Sequence, residues 1–154
     1  MIGVNQQNMN GTNRGLVLKS IMMKSPISRV ELSRMTGLSK MTVSGLVNDY
    51  VEKGIVWECG ESDSTGGRRR TFLDVVPDSL LTLGIYIGRD ILNVGVIDLK
   101  GKILQSESLV LSIVENNEMF IQNLFLLCDR LIDTKYRDKI WGIGVSCAGP
   151  LLAR

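Results

Sequence analysis

The 154-residue chain contains no histidine, and this absence removes several kinds of site. Neither a Ser-His-Asp triad, nor a Cys-His pair, nor a histidine-ligated metal can be assembled from its residues. Its three cysteines, Cys59, Cys128 and Cys147, form no Cys-x-x-Cys pair, which excludes a zinc knot and favours reduced thiols. Cys128 lies in an apolar helical run and is interpreted as core packing. We therefore expect no metal and no cofactor.

Long apolar runs are missing as well. No stretch of about 18 uncharged apolar residues occurs, which excludes a membrane-spanning helix. The N-terminus lacks the basic start and apolar core of a signal peptide. Hydrophobic residues make up 44% of the chain and charged residues 22%, as in globular proteins. The expectation is a globular cytoplasmic protein with no membrane partner.

The net charge of +2 hides an uneven distribution. Residues 1–76 hold ten Lys and Arg against seven Asp and Glu, whereas residues 77–154 hold eight against nine. Most of the N-terminal basic residues lie in the helical region before Lys53 or in the arginine triplet at 68–70. A basic front half joined to a near-neutral back half indicates a polyanion-binding module attached to a second part.

A first helix is predicted over about residues 14–24. Either Thr12 or Asn13 supplies its N-cap. Ser25 ends it, because the residue before a proline is pushed out of the helical region. Its apolar residues are spaced as in a core-facing stripe, namely Leu16, Val17, Leu18, Ile21 and Met22.

Capping signals predict two further helices. The second begins at a capping box formed by Ser28 and Glu31 and ends at Gly37, a left-handed C-cap. The third begins at the N-cap Ser39 and ends at Gly54. Its apolar residues form a stripe that we expect to be buried, made of Val43, Leu46, Val47, Tyr50 and Val51.

The spacing around Gly37 is typical of a helix-turn-helix. Ser33, four positions earlier, is small enough for two helices to cross closely, and the glycine makes the sharp turn. Leu38 and Val43 then fill the angle between the helices. The same spacing occurs in unrelated helical hairpins, so this pattern alone leaves both readings open.

Two short strands after the third helix favour a winged helix. Residues 55–57 and 71–75 read as strands, and the polar loop between them carries the three arginines at 68–70. Arginines at a wing tip suit phosphates or a narrow minor groove. The alternative is that they form an ordinary solvated charge run.

The second half of the chain has a different pattern, in which strands are predicted more often than helices. Three strands are predicted as an antiparallel meander, followed by a helix from Asn116 or Asn117 to about Ile132. The apolar run at 140–146 is typical of a buried parallel strand. The meander strands lie at 81–88, 91–97 and 103–110. The fold class is therefore α/β (α+β overall).

Together these segments resemble the repressor branch of the ROK family (repressors, open reading frames and kinases). The resemblance spans residues 13–150 and implies a winged helix-turn-helix domain at 1–76 and a linker at 77–80. Residues 81–154 then correspond to a truncated, actin-like (RNase H-like) βββαβ unit of the effector domain. The matching segments are PISRVELSR at 26–34, TGLSKMTVS at 36–44, GIV at 54–56, STGGRR at 64–69, GIYIGRD at 84–90, DLKG at 98–101 and GIGVSCAGP at 142–150.

The resemblance implies a sequence-specific repressor of sugar-utilisation genes, with xylose as a candidate sugar. Its partner is expected to be a double-stranded, pseudo-palindromic operator, bound by a homodimer in the full-length relatives. The family's effector domain continues well beyond the length present here, so we expect a truncated chain without the sugar-sensing part. A sugar effector is thus expected for the full-length relatives and not for this chain.

Two alternatives stay open, a ROK-type sugar kinase and a fragment with no function of its own. The family's kinases bind ATP through an Asp-x-Gly-x-Thr loop. Here Tyr86 replaces the aspartate and Asp90 replaces the threonine, and a carboxylate facing a phosphate is repulsive. Gly88 then serves only the turn between strands. We expect no enzyme activity and no catalytic residue.

In a winged helix, the third helix enters the major groove with its N-terminal residues at the base edges. Lys40 suits a guanine edge or a phosphate, and the paired donor and acceptor of Asn48 suit adenine. The predicted DNA-binding residues are Lys40, Thr42, Ser44 and Asn48 on the outer side of this helix, Ser39 at its N-cap, Arg14 and Arg29 at the DNA backbone, and Arg68, Arg69 and Arg70 in the wing.

Overall fold

A computed structural model describes residues 6–62, 70–111, 117–132 and 136–149. The chain divides into two compact units, residues 1–76 and residues 77–154. Each unit has its own sheet and its own helices. No helix in the described part is long and apolar enough to cross a membrane.

The first unit is a winged helix-turn-helix. Three helices pack against a three-stranded antiparallel sheet of strand order β1-β3-β2. In chain order the elements are α1 (Gln6–Lys24), β1 (Ile27–Ser28), α2 (Arg29–Thr36), α3 (Lys40–Glu52), β2 (Val56–Ser62) and β3 (Arg70–Val75). The core is aliphatic and is formed mainly by Val17, Ile21, Leu32, Val43, Val47, Val56, Leu73 and Val75.

The predicted caps of α2 and α3 are confirmed. Ser28 and Glu31 form the reciprocal capping box, in which the Ser28 amide donates to Glu31 Oε2 at 2.9 Å. Gly37 adopts the left-handed conformation with φ of 71°. The hydroxyl of Ser33 donates to the Leu38 carbonyl at 2.7 Å, which fastens the turn between the two helices. The Ser39 side chain accepts from the Thr42 amide at the start of α3.

Helix α1 differs from the prediction at its start. It begins at Gln6, so Thr12 and Asn13 lie inside the helix and neither is the N-cap. The added turns are polar and carry no apolar stripe that the pattern could detect. They form because each further residue of an existing helix gains a backbone hydrogen bond without a new nucleation cost.

The predicted apolar stripe of α3 is buried only in part. Val43, Val47 and Tyr50 are buried, whereas Leu46 is half-buried and Val51 is exposed. The stripe predicted from spacing is therefore wider than the surface that α1, α2 and β2 cover. Position within the stripe, and not hydrophobicity alone, decides which residues reach the core.

Two features of the wing sheet were not predicted. The two-residue strand β1 pairs with β3, placing Ile27 opposite Leu73 and Ser28 opposite Phe72. Strand β2 continues beyond the predicted residue 57 to Ser62, with a bulge between Glu58 and Gly60. A bulge shifts the alternation of side chains, which conceals a strand from a period-two pattern.

The second unit is a four-stranded sheet with one helix over it. Its order is β6-β5-β4-β7, and α4 packs on β5 and β6. The elements are β4 (Leu81–Ile87), β5 (Ile91–Asp98), β6 (Ile103–Val110), α4 (Asn117–Ile132), a short 3₁₀-helix (Arg137–Lys139) and β7 (Ile140–Cys147). Cys128 lies in the core between helix and sheet, as predicted, and this burial raises the pKa of its thiol.

Strand β7 is parallel to β4, as predicted, but the expectation that it is buried is wrong. Trp141 is 78% exposed, and Ile143 and Val145 are also largely exposed. The register pairs Ile143 with Leu83 and Val145 with Ile85, so these side chains lie on the same face as the core. They stay exposed because α4 covers the opposite end of the sheet and β7 is an edge strand.

Candidate nucleic-acid interface

Helix α3 buries one side and exposes the other. Val43, Val47 and Tyr50 pack into the core. On a helix of 3.6 residues per turn, Met41, Gly45 and Asn48 fall on the side opposite to these three. Met41 and Asn48 are exposed, and an added Cβ at Gly45 would meet no atom within 4 Å. This outward face is free to meet a ligand from outside.

The first turn of α3 combines a fixed cap with an exposed cation. The hydroxyls of Ser39 and Thr42 lie 2.9 Å apart in hydrogen-bond contact, so both side chains belong to the cap. Lys40 is exposed and forms no ion pair with any residue that the structure describes. Ser44 is half-buried on the flank of the helix. A helix N-terminus with an unpaired lysine attracts anions.

Sequence reasoning missed Met41, which is 86% exposed. It considered only polar residues as candidates for the outer face. The helical spacing of Met41 from Asn48 would have found it, because positions seven apart lie on the same side of a helix. An exposed thioether at this place suits apolar contact with a thymine methyl group.

Arg14 is paired inside the first unit. It forms an ion pair with Asp49 of α3, and its guanidinium lies 5.5 Å from the centre of the Tyr50 ring. Lys53 also contacts Asp49, with Nζ 3.0 Å from Oδ1. Hydrogen bonds from Lys53 and Arg14 hold the pKa of Asp49 below its usual value, and burial raises the pKa of Tyr50. Arg14 therefore joins α1 to α3 and is not a free cation.

Arg29, the first residue of α2, is also engaged. Its Nη1 lies 2.9 Å from Glu58 Oε1 in strand β2, and its Nη2 donates to Asn48 Oδ1 at 3.2 Å. The guanidinium thus connects the wing sheet, α2 and the outward face of α3. The charge of Arg29 is balanced by Glu58, and the predicted contact of Arg29 with the DNA backbone stays a prediction.

The structure describes the three wing arginines only in part. Arg68 and Arg69 lie outside the described residues. Arg70 begins β3 and its backbone pairs with Ser62 of β2, but its side chain lies outside the description. Their contact with DNA stays a prediction.

The Tyr86–Asp90 region of the second unit forms a tight strand connection. The Gly88 amide donates to the Ile91 carbonyl at 2.7 Å, and a Cβ on Gly88 would lie 2.7 Å from Ile91 Cγ2. The backbone amide that a phosphate loop would offer is therefore used inside the turn. The described residues also contain no cluster of three acidic or cysteine side chains that could hold a metal.

Curated proteins similar to this chain are named as repressors. The xylose repressor of Bacillus subtilis (strain 168) is 44% identical over 92 residues, which cover 60% of this chain and 24% of that protein. The xylose repressor of Caldicellulosiruptor bescii is 32% identical over 139 residues, which cover 89% of this chain and 35% of that protein. The chain thus spans about a quarter to a third of the length of these relatives. No protein-family model matches it.

Among solved structures, a ROK family transcriptional regulator, described as a homologue of the E. coli MLC protein, has a similar fold. The two superpose with a TM-score of 0.64 at 19% sequence identity, over 92% of this chain and 36% of that one. That likeness concerns the fold, and the identities above concern the sequence. Taken together, the chain is similar in sequence to curated xylose repressors and in fold to a ROK family transcriptional regulator.

Proposed function

We propose that this chain is the DNA-binding part of a sugar-responsive transcriptional repressor. Its first unit binds operator DNA with the outward face of α3 in the major groove. The observation that carries the proposal is that face itself, where Met41 and Asn48 are exposed on the side opposite the core, next to the exposed Lys40 in the first turn of the helix. The names of the relatives support a repressor and suggest xylose as the sugar sensed by the complete protein.

The operator is a pseudo-palindrome, and the complete protein engages it as a dimer in the cytoplasm. One winged helix buries little surface on a single half-site. We therefore expect the 154-residue chain to bind with a Kd nearer the non-specific range of ~10⁻⁴–10⁻⁶ M than the specific one. Pairing two modules raises the effective concentration at the second half-site. The sugar acts through parts of the relatives that lie beyond the span matched here.

Neither alternative function gains support from a specific observation. A kinase needs a phosphate loop, and the Gly88 amide is used within its own turn. A fragment without function would associate through the exposed strand β7, since exposed apolar edge strands pair with other chains. Size-exclusion chromatography tests this alternative, because a chain that elutes as a folded monomer contradicts association through β7.

The test is fluorescence anisotropy with duplex DNA at several salt concentrations. Lys40→Ala should weaken binding about tenfold, as expected for the loss of a base-edge contact. Lys19→Ala is the matched control, since Lys19 is an exposed lysine on α1 outside the proposed interface. Equal losses for both variants, or none for Lys40→Ala, would contradict the placement of α3 in the groove.

A further inference from the structure

The Asn48 side chain has one end engaged and one end free. Its Oδ1 accepts from Arg29 Nη2 at 3.2 Å. A guanidinium carries only donors, so the amide can meet it only with its oxygen. The Nδ2 group donates to no residue that the structure describes, and Asn48 is exposed on the outward face of α3. The donor end of the amide is therefore the end presented outward.

Glu58 holds the Arg29 guanidinium on the side away from Asn48, which fixes the hydrogen bond between Arg29 and Asn48. Its Nη1 contacts Glu58 Oε1 at 2.9 Å, and its side chain is only 27% exposed. A guanidinium held by two partners on two different elements has little freedom to turn. The amide orientation of Asn48 is thus imposed by α2 and β2, and not only by its own helix.

The orientation has a consequence for base reading. An asparagine that reads adenine uses both ends of its amide, accepting from N6 and donating to N7. Here the accepting end already takes a hydrogen bond from Arg29 Nη2, so a further donor would have to share or displace that bond. Guanine presents two acceptors, N7 and O6, and no donor at the same edge. A donor-only amide therefore fits guanine better than adenine.

We infer that Arg29 is a positioning residue that turns Asn48 into a hydrogen-bond donor for guanine. This inference rests on the proposed function, because it concerns the base that α3 reads. It replaces the adenine expected from the Asn48 side chain alone. It also assigns Arg29 a part in specificity although Arg29 itself need not touch the DNA.

The experiment selects bound sequences from a random duplex library at low salt, using the full 154-residue chain. Asn48→Ala identifies the base pair that Asn48 reads, as the position where the preference falls by about tenfold. The wild-type chain should prefer guanine there. Arg29→Met keeps bulk but removes every donor, which frees the amide to use both ends. The preference at that one position should then move toward adenine.

Glu58→Gln is the matched control. It removes the charge partner of Arg29 but leaves the Arg29 donor, so guanine should remain preferred. Circular dichroism checks that each variant is folded. If Arg29→Met unfolds, the base that the wild-type chain prefers at the position identified by Asn48→Ala still decides between guanine and adenine. An adenine preference in the wild type, or an unchanged preference in folded Arg29→Met, would overturn the inference and leave the proposed function standing. Absence of any binding to the duplex library at low salt would instead overturn the proposed function.

Discussion

The Tyr50 hydroxyl of α3 donates a hydrogen bond of 2.7 Å to the backbone carbonyl of Arg14 in α1. The Arg14 guanidinium lies over the Tyr50 ring and pairs with Asp49. Two residues 36 positions apart in sequence thereby join α1 to α3 by a polar contact at the edge of an aliphatic core. This contact fastens α3 to α1.

Tyr50→Phe should destabilise the first unit by about 1 kcal/mol. The variant removes one hydrogen bond and leaves the Arg14 carbonyl without that donor. Urea unfolding in a Trp141→Phe background measures it, because the remaining tryptophan, Trp57, reports on the first unit. Tyr86→Phe, which alters an exposed tyrosine of the second unit, is the control and should leave the Trp57 transition unchanged.

Stability of the first unit should fall on acidification below about pH 4. The pKa of Asp49 is lowered in the folded state, chiefly by the hydrogen bond from Lys53 and also by Arg14. A carboxyl with a lowered folded-state pKa contributes stability above its unfolded pKa of about 4 and loses it as the pH falls further. Asp49→Asn should flatten this part of the pH profile of unfolding. Glu52→Gln, on the same helix, should leave it steep.

The local signals around α2 and α3 were read correctly, whereas the start of α1 and the long-range contacts of β1 were not. The Ser28–Glu31 capping box and the Gly37 turn depend on neighbours within a few residues, so the sequence carried them. Strand β1 exists only because Ile27 meets Leu73, which lies far along the chain. The exposure of Trp141 depends on where α4 stops covering the sheet.

The candidate site also combines features that local spacing predicts with features that only the fold reveals. The exposure of Asn48 follows from the helical period and a known core face, whereas Lys40 is exposed as the first residue of α3. The pairing of Arg29 with both Glu58 and Asn48 requires three elements to be placed in space, and no spacing rule contains it. A count of charges in the sequence includes Arg14 and Arg29 as cations, whereas in the fold each is paired with a carboxylate.

Gly45→Ala should raise stability and weaken DNA binding. A Cβ at Gly45 meets no atom within 4 Å, and alanine is favoured over glycine in a helix by about 1 kcal/mol. The added methyl group faces outward beside Asn48, where we propose that the base edges approach. Gly15→Ala on α1 is the control, since that position is equally open. It should stabilise the unit without changing the Kd for DNA, and an unchanged Kd for Gly45→Ala would place the DNA elsewhere.

The wing should contribute affinity without sequence preference. Changing both Arg68 and Arg69 to alanine should weaken binding to all duplexes alike. The slope of log K against log salt should shrink by about one for each phosphate contact that is lost. Anisotropy titrations at several salt concentrations measure the slope. A slope equal to that of the wild-type chain would mean that these arginines do not touch phosphates.

The most direct test of the central claim is a two-dimensional ¹H–¹⁵N NMR titration of the full chain with duplex DNA. If α3 enters the major groove, the largest shift changes should fall on the amides of residues 39–48, with smaller ones in the wing. The amides of β4–β7 in the second unit should stay in place. Shift changes centred on the second unit, or none along α3 at saturating DNA, would contradict the account.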